Sequence, residues 1–358
     1  MYAKDRILAV YDEDERENLD KVPSHVQYVD PAFISRYQEF FEGKYNTDVF
    51  NQYFGAPYVL GFDAVFAPFP SSFEFRNVKI TDDQGNSVKI ALDGQAVKRK
   101  TGYYEGGYVN STDILNEMQK NLKEVDKTRE IKNVLKKYEK IEKYIYPILM
   151  TNGIFDRVWQ AMGMVEFSKH FKKKSNLYKG LIEFYANITE VEIKKLIKAS
   201  NKTNRVINIL DDVAFRGRVM ISPKRWESDF LPYYKKINQI IINAGMVPQV
   251  HTDGDPTELI PYFQKAGFMG LQGWEGGADP FLISEKFPNF VVIGFGDVSH
   301  ILPHGTKSQI KVHVQELMNA LKDNKHFIIG PSTIIYEKIP LNNVIKFMEA
   351  VRLYGKYI

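Results

Sequence analysis

The sequence predicts an α/β fold closed as a (β/α)8 barrel, a TIM barrel, and three observations carry that expectation. Short apolar runs alternate with segments of helical periodicity along most of the chain. The runs are apolar throughout rather than at every second residue, the pattern of strands buried on both faces of a parallel sheet. Seven of them read as strands and an eighth can be argued, which favours a closed barrel over an open doubly wound sheet. No Gly-x-Gly-x-x-Gly or phosphate-loop pattern follows any run, so a nucleotide-binding fold has little support. The 358 residues suffice for one such barrel with a sizeable core.

Residues 1–56 read as an N-terminal helical extension, in which "DPAFISRYQEFFEGK" has apolar positions at helical spacing, Asp30 as N-cap and Pro31 at the first helical position. Residues 57–358 read as the barrel. Its opening run, "APYVLGFDAVFAPFP", fits a buried strand. From about 73 to 108 short strands separated by "TDDQGN" and "DGQ" predict a small antiparallel hairpin excursion, because these are hairpin turn residues. A long helix from about Ser111 to Lys143 then leads into the strand "YIYPILM". Helices at about Ile154 to Glu166 and Asn176 to Ser200 precede "RVINIL", which ends at Asp211 and Asp212. A helix from about Pro223 to Ala244 precedes "MVPQV", which runs into His251. "PTELIPYFQKAG" precedes "FMGLQGW", ending at Glu275, and "DPFLISEKF" precedes "FVVIGFG", ending at Asp297. "SQIKVHVQELMNALKD" precedes "HFIIG", ending at Ser332 and Thr333, and the last helix spans about Leu341 to Tyr354.

Composition narrows the function classes. Hydrophobic residues make up 44% of the chain and charged ones 26%, ordinary for a globular protein. A net charge of +4 gives no general basis for binding nucleic acid, and the lysines between Lys120 and Tyr144 alternate with acidic residues as on a solvated helix face. Cysteine is absent, which excludes disulfides, a thiolate nucleophile and Cys-ligated zinc or iron–sulfur clusters. No apolar run approaches the roughly 18 residues that span a bilayer, and the acidic opening does not suit a signal peptide. The expectation is a cytoplasmic protein without a membrane or nucleic-acid partner; a homodimer is compatible with it.

In a parallel barrel the C-terminal ends of all strands open on one face, so polar residues just past successive strands converge. Here those residues are Asp211 and Asp212, His251 and Asp253, Glu275, Asp297, then Ser332 and Thr333. Each has a plainer alternative. Asp211, Asp212 and Asp297 could organise turns, and Asp255 is expected to cap the helix that opens at Pro256. Glu275 lies between Trp274 and two glycines, which would let backbone or ligand approach closely. His300 and His304 read as loop residues and His170 as surface. Carboxylates and one imidazole suit zinc or another divalent ion, and the same groups could instead handle protons without metal.

Several segments together resemble one family. "DDVAFRGRVMISPKRWESDFLPYYKKI", "PQVHTDGDPTELIPYFQKAGFMGL", "WEGGADP", "VIGFGDVSHILPHGT" and "PLNNVIKFMEAVRLYG" are similar to the uroporphyrinogen decarboxylase superfamily, which includes cobalamin-dependent methyltransferases. The resemblance covers Thr151 to Ile358 well, and "GYYEGGYVNSTDIL" resembles the hairpin-to-helix passage of the methyltransferase-like members. It implies a (β/α)8 barrel with its site at the C-terminal mouth. The Arg-rich N-terminal segment with which decarboxylases of the family hold a tetrapyrrole is not found; Arg6, Arg16, Arg36 and Arg76 are scattered. Members that methylate thiols hold zinc with a His-x-Cys pair and a later Cys. His251 matches the first ligand, while Asp253 stands at the first Cys and Thr333 near the second. The His-x-Asp-Gly loop and strand-terminal Glu275 are closer to ether-demethylating members.

The resemblance therefore implies a zinc-dependent methyltransferase that moves a methyl group from a small ether, alcohol or amine donor to a corrinoid held by a partner protein. Nitrogen and oxygen ligands would leave zinc a strong Lewis acid. The implied metal ligands are His251, Glu275 and Asp297, with Asp253 as an alternative third ligand. Asp212 and Asp253 are the implied catalytic residues, and Asp211, Trp274 and Arg216 the substrate contacts. The alternatives are a decarboxylase-like lyase acting on an anionic substrate, with Arg216, Arg218 and Lys224 as its basic groups, and a metal-free small-molecule binder.

Overall fold

Strands that are apolar on both faces must be covered on both, and the chain does this by closing them into a barrel ringed with helices. The computed structural model describes residues 1–75, 80–81, 87–88, 97–100, 103–200 and 205–357. Eight strands form one sheet: β1 (His25–Val26), β2 (Ala64–Pro68), β3 (Tyr146–Asn152), β4 (Val206–Leu210), β5 (Val247–Thr252), β6 (Gly270–Gly273), β7 (Val291–Gly296) and β8 (Phe327–Pro331). Each pairs in parallel with the next. The ring closes where the Ile329 amide donates to the Pro23 carbonyl (2.9 Å) and Ser24 bridges Ile329 in parallel. Closure removes the free edge that an open sheet would expose.

The core has two parts. Between strands and helices lies a large apolar layer, and inside the barrel a smaller cluster joins Phe66, Tyr146, Ile148 and Ile293 to Ile7, Val10 and Leu19. The helix Ala3–Ala9 thus plugs the N-terminal end of the barrel. It is fastened by Arg6, whose guanidinium donates to Asp63 (2.6 Å) at the start of β2 and to Asp20 (2.7 Å). With that end closed, ligands have access through the opposite, C-terminal mouth.

The elements follow the sequence reading with instructive departures. Asp30 caps the helix Pro31–Arg36 by accepting from the Ala32 amide (2.8 Å), as expected. The same N-terminal segment also carries β1, two residues long and therefore without an apolar run to reveal it. The run expected as one strand from Ala56 divides into the helix Gln52–Leu60 and β2, because Gly61 at φ +93° stops the helix. The long helix expected near 111–143 is two helices, Thr112–Asn121 and Thr128–Ile141. Leu122–Glu124 between them pairs antiparallel with Phe73–Phe75. Gly163 at φ +80° likewise divides the helix expected at 154–166 into Phe155–Met162 and Met164–Lys173. The antiparallel excursion is present as the pairs Ile80–Thr81 with Ser87–Val88 and Val97–Lys100 with Tyr103–Gly107. Its turn residues 82–86, 89–96 and 101–102, like Arg76, lie outside the described residues. Among the described residues, no helix is long and apolar enough to cross a membrane.

Candidate metal and substrate site at the barrel mouth

Alternate side chains of a strand share a face. On β5, Gln249 faces the barrel interior, where its amide donates to Asn208 Oδ1 (2.7 Å). His251 follows two residues later at the mouth end, 7% exposed, and Asp253 two beyond that. The β5–β6 register sets Gln272 beside His251, with Gln272 Oε1 2.6 Å from His251 Nδ1. The Gln272 amide nitrogen donates to the Ser332 carbonyl (2.9 Å), an obligate acceptor, so Oε1 is the atom facing the ring. Gln27 on the barrel's first segment donates to the same Oε1 (3.2 Å). His251 Nδ1 is therefore the protonated donor in the neutral ring, and Nε2 keeps its lone pair.

That lone pair is turned toward two carboxylates. Asp212 Oδ1 and Asp253 Oδ1 each stand 3.6 Å from His251 Nε2, and one ligand atom from each of the three residues lies within 4.8 Å of the others. The Asp253 amide donates to Asp212 Oδ1 (2.9 Å), tying the β4 and β5 ends together. Gly254 turns the chain at φ +83°, where a Cβ would stand 2.5 Å from the Phe215 backbone, so this turn requires glycine. The Asp253 side chain is 39% exposed as a whole, yet its Oδ1 is buried and has no hydrogen-bond partner among the described residues. Burial, with the Asp212 and Glu275 charges, raises the Asp253 carboxyl to about 6 against the opposing influence of His251.

These three residues fit a divalent ion. Nitrogen and oxygen ligands about 2.0–2.2 Å from a tetrahedral ion stand roughly 3.3–3.6 Å from one another, close to the two 3.6 Å separations at Nε2. An unpartnered buried carboxylate oxygen beside an imidazole fixed in the ligating tautomer is a donor set that suits zinc.

The structure thus brings Asp212 and Asp253 together with His251 and leaves Glu275 and Asp297, the other two expected ligands, outside that group. Glu275 accepts from the Ser299 hydroxyl (2.9 Å). Asp297 Oδ1 accepts from the Ser299 and His300 amides (both 2.7 Å), organising the turn after β7. Both line a cavity of about 720 Å³ that also meets Asp253, Arg216, Trp274 and His300. Asp211 does not line it. Buried, Asp211 accepts from Tyr234 (2.6 Å) and from the Asp156 amide (2.8 Å), and burial raises its carboxyl to about 7. Asp255 does not cap a helix at Pro256 as expected: a 3-10 turn, Thr257–Leu259, follows with Pro256 at its N-cap, and Asp255 Oδ1 accepts from the Thr257 amide (3.1 Å) and hydroxyl (2.5 Å) in a local turn. Thr333 reaches Gln27 (3.4 Å) rather than the metal-ligand group.

Four neighbours escaped the sequence reading. Gln272 sets the His251 tautomer, and an amide inside the apolar run "FMGLQGW" was the available signal. Asp156 follows β3, and burial together with the Asp212 and Asp211 charges pushes its carboxyl well above the usual range. Phe295 stacks on Trp274 (centroids 5.1 Å, planes 11° apart). Both rings are carried on left-handed backbone, at φ 67° and 73°, a strain of about 1–3 kcal/mol each that clusters at functional sites. His25, from β1, is fully buried with its ring 4.5 Å from Phe66, and neither ring nitrogen has a hydrogen-bond partner among the described residues.

The sequence model of the family described as uroporphyrinogen decarboxylase (URO-D) matches residues 98–354. The chain belongs to that family. No curated protein sequence matches this URO-D family member. Among solved structures, a methyltransferase from Methanosarcina mazei is similar over 99% of both chains, with a TM-score of 0.65 at 17% identity, which shows a shared fold. A glycoside hydrolase family 5 enzyme from Prevotella bryantii B14 reaches a TM-score of 0.42 at 10% identity, over 94% of this chain and 97% of its own. A GH5-4 broad specificity endoglucanase from an uncultured bacterium reaches 0.41 at 8% identity, over 97% and 95%. Likenesses at that level carry no argument.

Proposed function

We propose that this URO-D family member is a zinc-dependent methyltransferase that takes a methyl group from a small donor bound at the barrel mouth and passes it to a corrinoid held by a separate protein. The observation that carries the reading is His251 Nε2 poised between the Asp212 and Asp253 carboxylates. Asp212, His251 and Asp253 would hold the metal. Bound there, zinc supplies a Lewis acid that polarises the donor's heteroatom. The name of the Methanosarcina mazei neighbour is consistent with methyl transfer.

The chain's own groups have separable tasks. Gln272 holds the His251 ring and its tautomer. Asp253, ionised above about pH 6, lies at the meeting point of the ligand group and the cavity. The stacked Trp274 and Phe295 rings give the donor a dry wall, and Arg216 and Glu275 contact it at the rim. A lyase acting on an anionic substrate would need basic groups in this cavity, and Arg216 is the one lysine or arginine among the lining residues.

The test is methyl transfer to free, reduced cobalamin, read from its absorbance, across a panel of ether, alcohol and amine donors. The expected result is transfer that requires zinc and is lost in His251→Ala. Transfer of equal rate without metal, or in His251→Ala, contradicts the reading.

A further inference from the structure

The walls of the mouth cavity carry an unbalanced charge. Asp253, Glu275, Asp297 and Glu316 bring four carboxylates to the lining, against Arg216. Assigning Asp253 to a metal leaves three, still more than the single guanidinium neutralises. Glu275 and Asp297 are held in place, the first by the Ser299 hydroxyl and the second by the Ser299 and His300 amides. These hydrogen bonds orient both half-buried carboxylates, and a partly enclosed acidic cleft concentrates cations.

Two independent features make this more than an acidic patch. Ser332, 1% exposed, lines the same cavity, and its hydroxyl has no hydrogen-bond partner among the described residues. A buried hydroxyl without a partner is destabilising, and a polar ligand atom in the cavity would satisfy it. The wall also includes Trp274, Phe281 and Phe295. Aromatic faces attract organic cations through their quadrupole, and more strongly as water is excluded. A strongly hydrated inorganic cation gains little from such rings, and an anion is repelled by the carboxylates.

We propose that the substrate carries a small organic cation, a quaternary ammonium or protonated amine group, which this cavity binds and selects. Glu275 and Asp297 supply the charge, Trp274 and Phe295 the apolar contact, and Ser332 a polar contact for the rest of the molecule. The proposal rests on the methyltransferase reading only in calling the ligand a substrate; the binding preference is independent of any metal.

Calorimetric titration of the full chain with choline and with 3,3-dimethyl-1-butanol, its neutral carbon isostere, tests it. Choline is expected to bind at least tenfold more tightly. The Glu275→Gln, Asp297→Asn double variant, shown to be folded by circular dichroism, is expected to bring the two affinities within about twofold. Equal affinity for the two compounds in the wild type, no measurable binding of either, or a preference untouched in the folded double variant overturns the proposal. Zinc content measured on the same samples separates the two readings. A choline preference without zinc keeps the cation site and removes the metal-dependent methyltransferase, whereas zinc without the preference removes the cation site alone.

Discussion

His25 makes the stability of this barrel depend on pH in a way that can be worked out from its surroundings. The ring is fully buried and without hydrogen-bond partners among the described residues; burial first, and the nearby His251 second, push its pKa down to about 3. In the unfolded chain an imidazole titrates near 6.5. Between those two values the unfolded state binds the proton and the native state does not, so folding is disfavoured as pH falls through this window. Above about pH 6.5 neither state is charged and the effect vanishes. Integrating the proton difference from pH 8 to pH 5 gives a loss of about 2 kcal/mol attributable to this one side chain. His25→Leu keeps a comparable volume against Phe66 and removes the titration. Urea unfolding of both proteins at pH 8 and pH 5, in chelator so that metal binding does not contribute, should show the wild type losing about 2 kcal/mol more than the variant. At pH 8 the variant should be no less stable, since leucine gives up no hydrogen bond there. Parallel pH dependence in the two proteins would refute the reasoning.

Two other substitutions probe the supports of the site. Gln272→Leu removes the acceptor at His251 Nδ1 and should weaken zinc binding by about 10–100-fold, measured by competition with a chromophoric chelator, while His251 itself is intact; unchanged affinity contradicts the tautomer argument. Tyr234→Phe takes a hydroxyl from buried Asp211 (2.6 Å) and from the Ile154 amide (2.6 Å), and should cost about 1.5–3 kcal/mol in urea unfolding without changing zinc stoichiometry. Loss of zinc in that variant would place Asp211 in the site after all.

Legibility in the sequence followed physical scale. Long apolar strands such as β3 and β7, and the helix Leu341–Tyr354, announce themselves because each satisfies one period over many residues. β1 has two residues and an embedded histidine, so only its neighbours in space make it a strand. Strand-end convergence placed His251, Asp212 and Asp253 in a wider set with Asp211, Glu275, Asp297, Ser332 and Thr333, because barrel topology alone brings such residues to one face. Choosing among the converging carboxylates required distances. Glu275 and Asp297 look equivalent to Asp212 along the chain, yet their partners are Ser299 and His300 at the rim. Asp211 and Asp212 are adjacent, and consecutive residues point oppositely. One therefore braces the start of the helix after β3 while the other faces His251. The Gln272 contact spans 21 residues and depends on strand register, which no local pattern encodes.

The proposed chemistry depends on a metal held by Asp212, His251 and Asp253. The most direct test of that site is zinc content by mass spectrometry after incubation with zinc and removal of the excess, wild type beside His251→Ala. About one zinc per chain is expected in the wild type and little in the variant. Equal metal in both proteins, or none in either, would contradict the assignment.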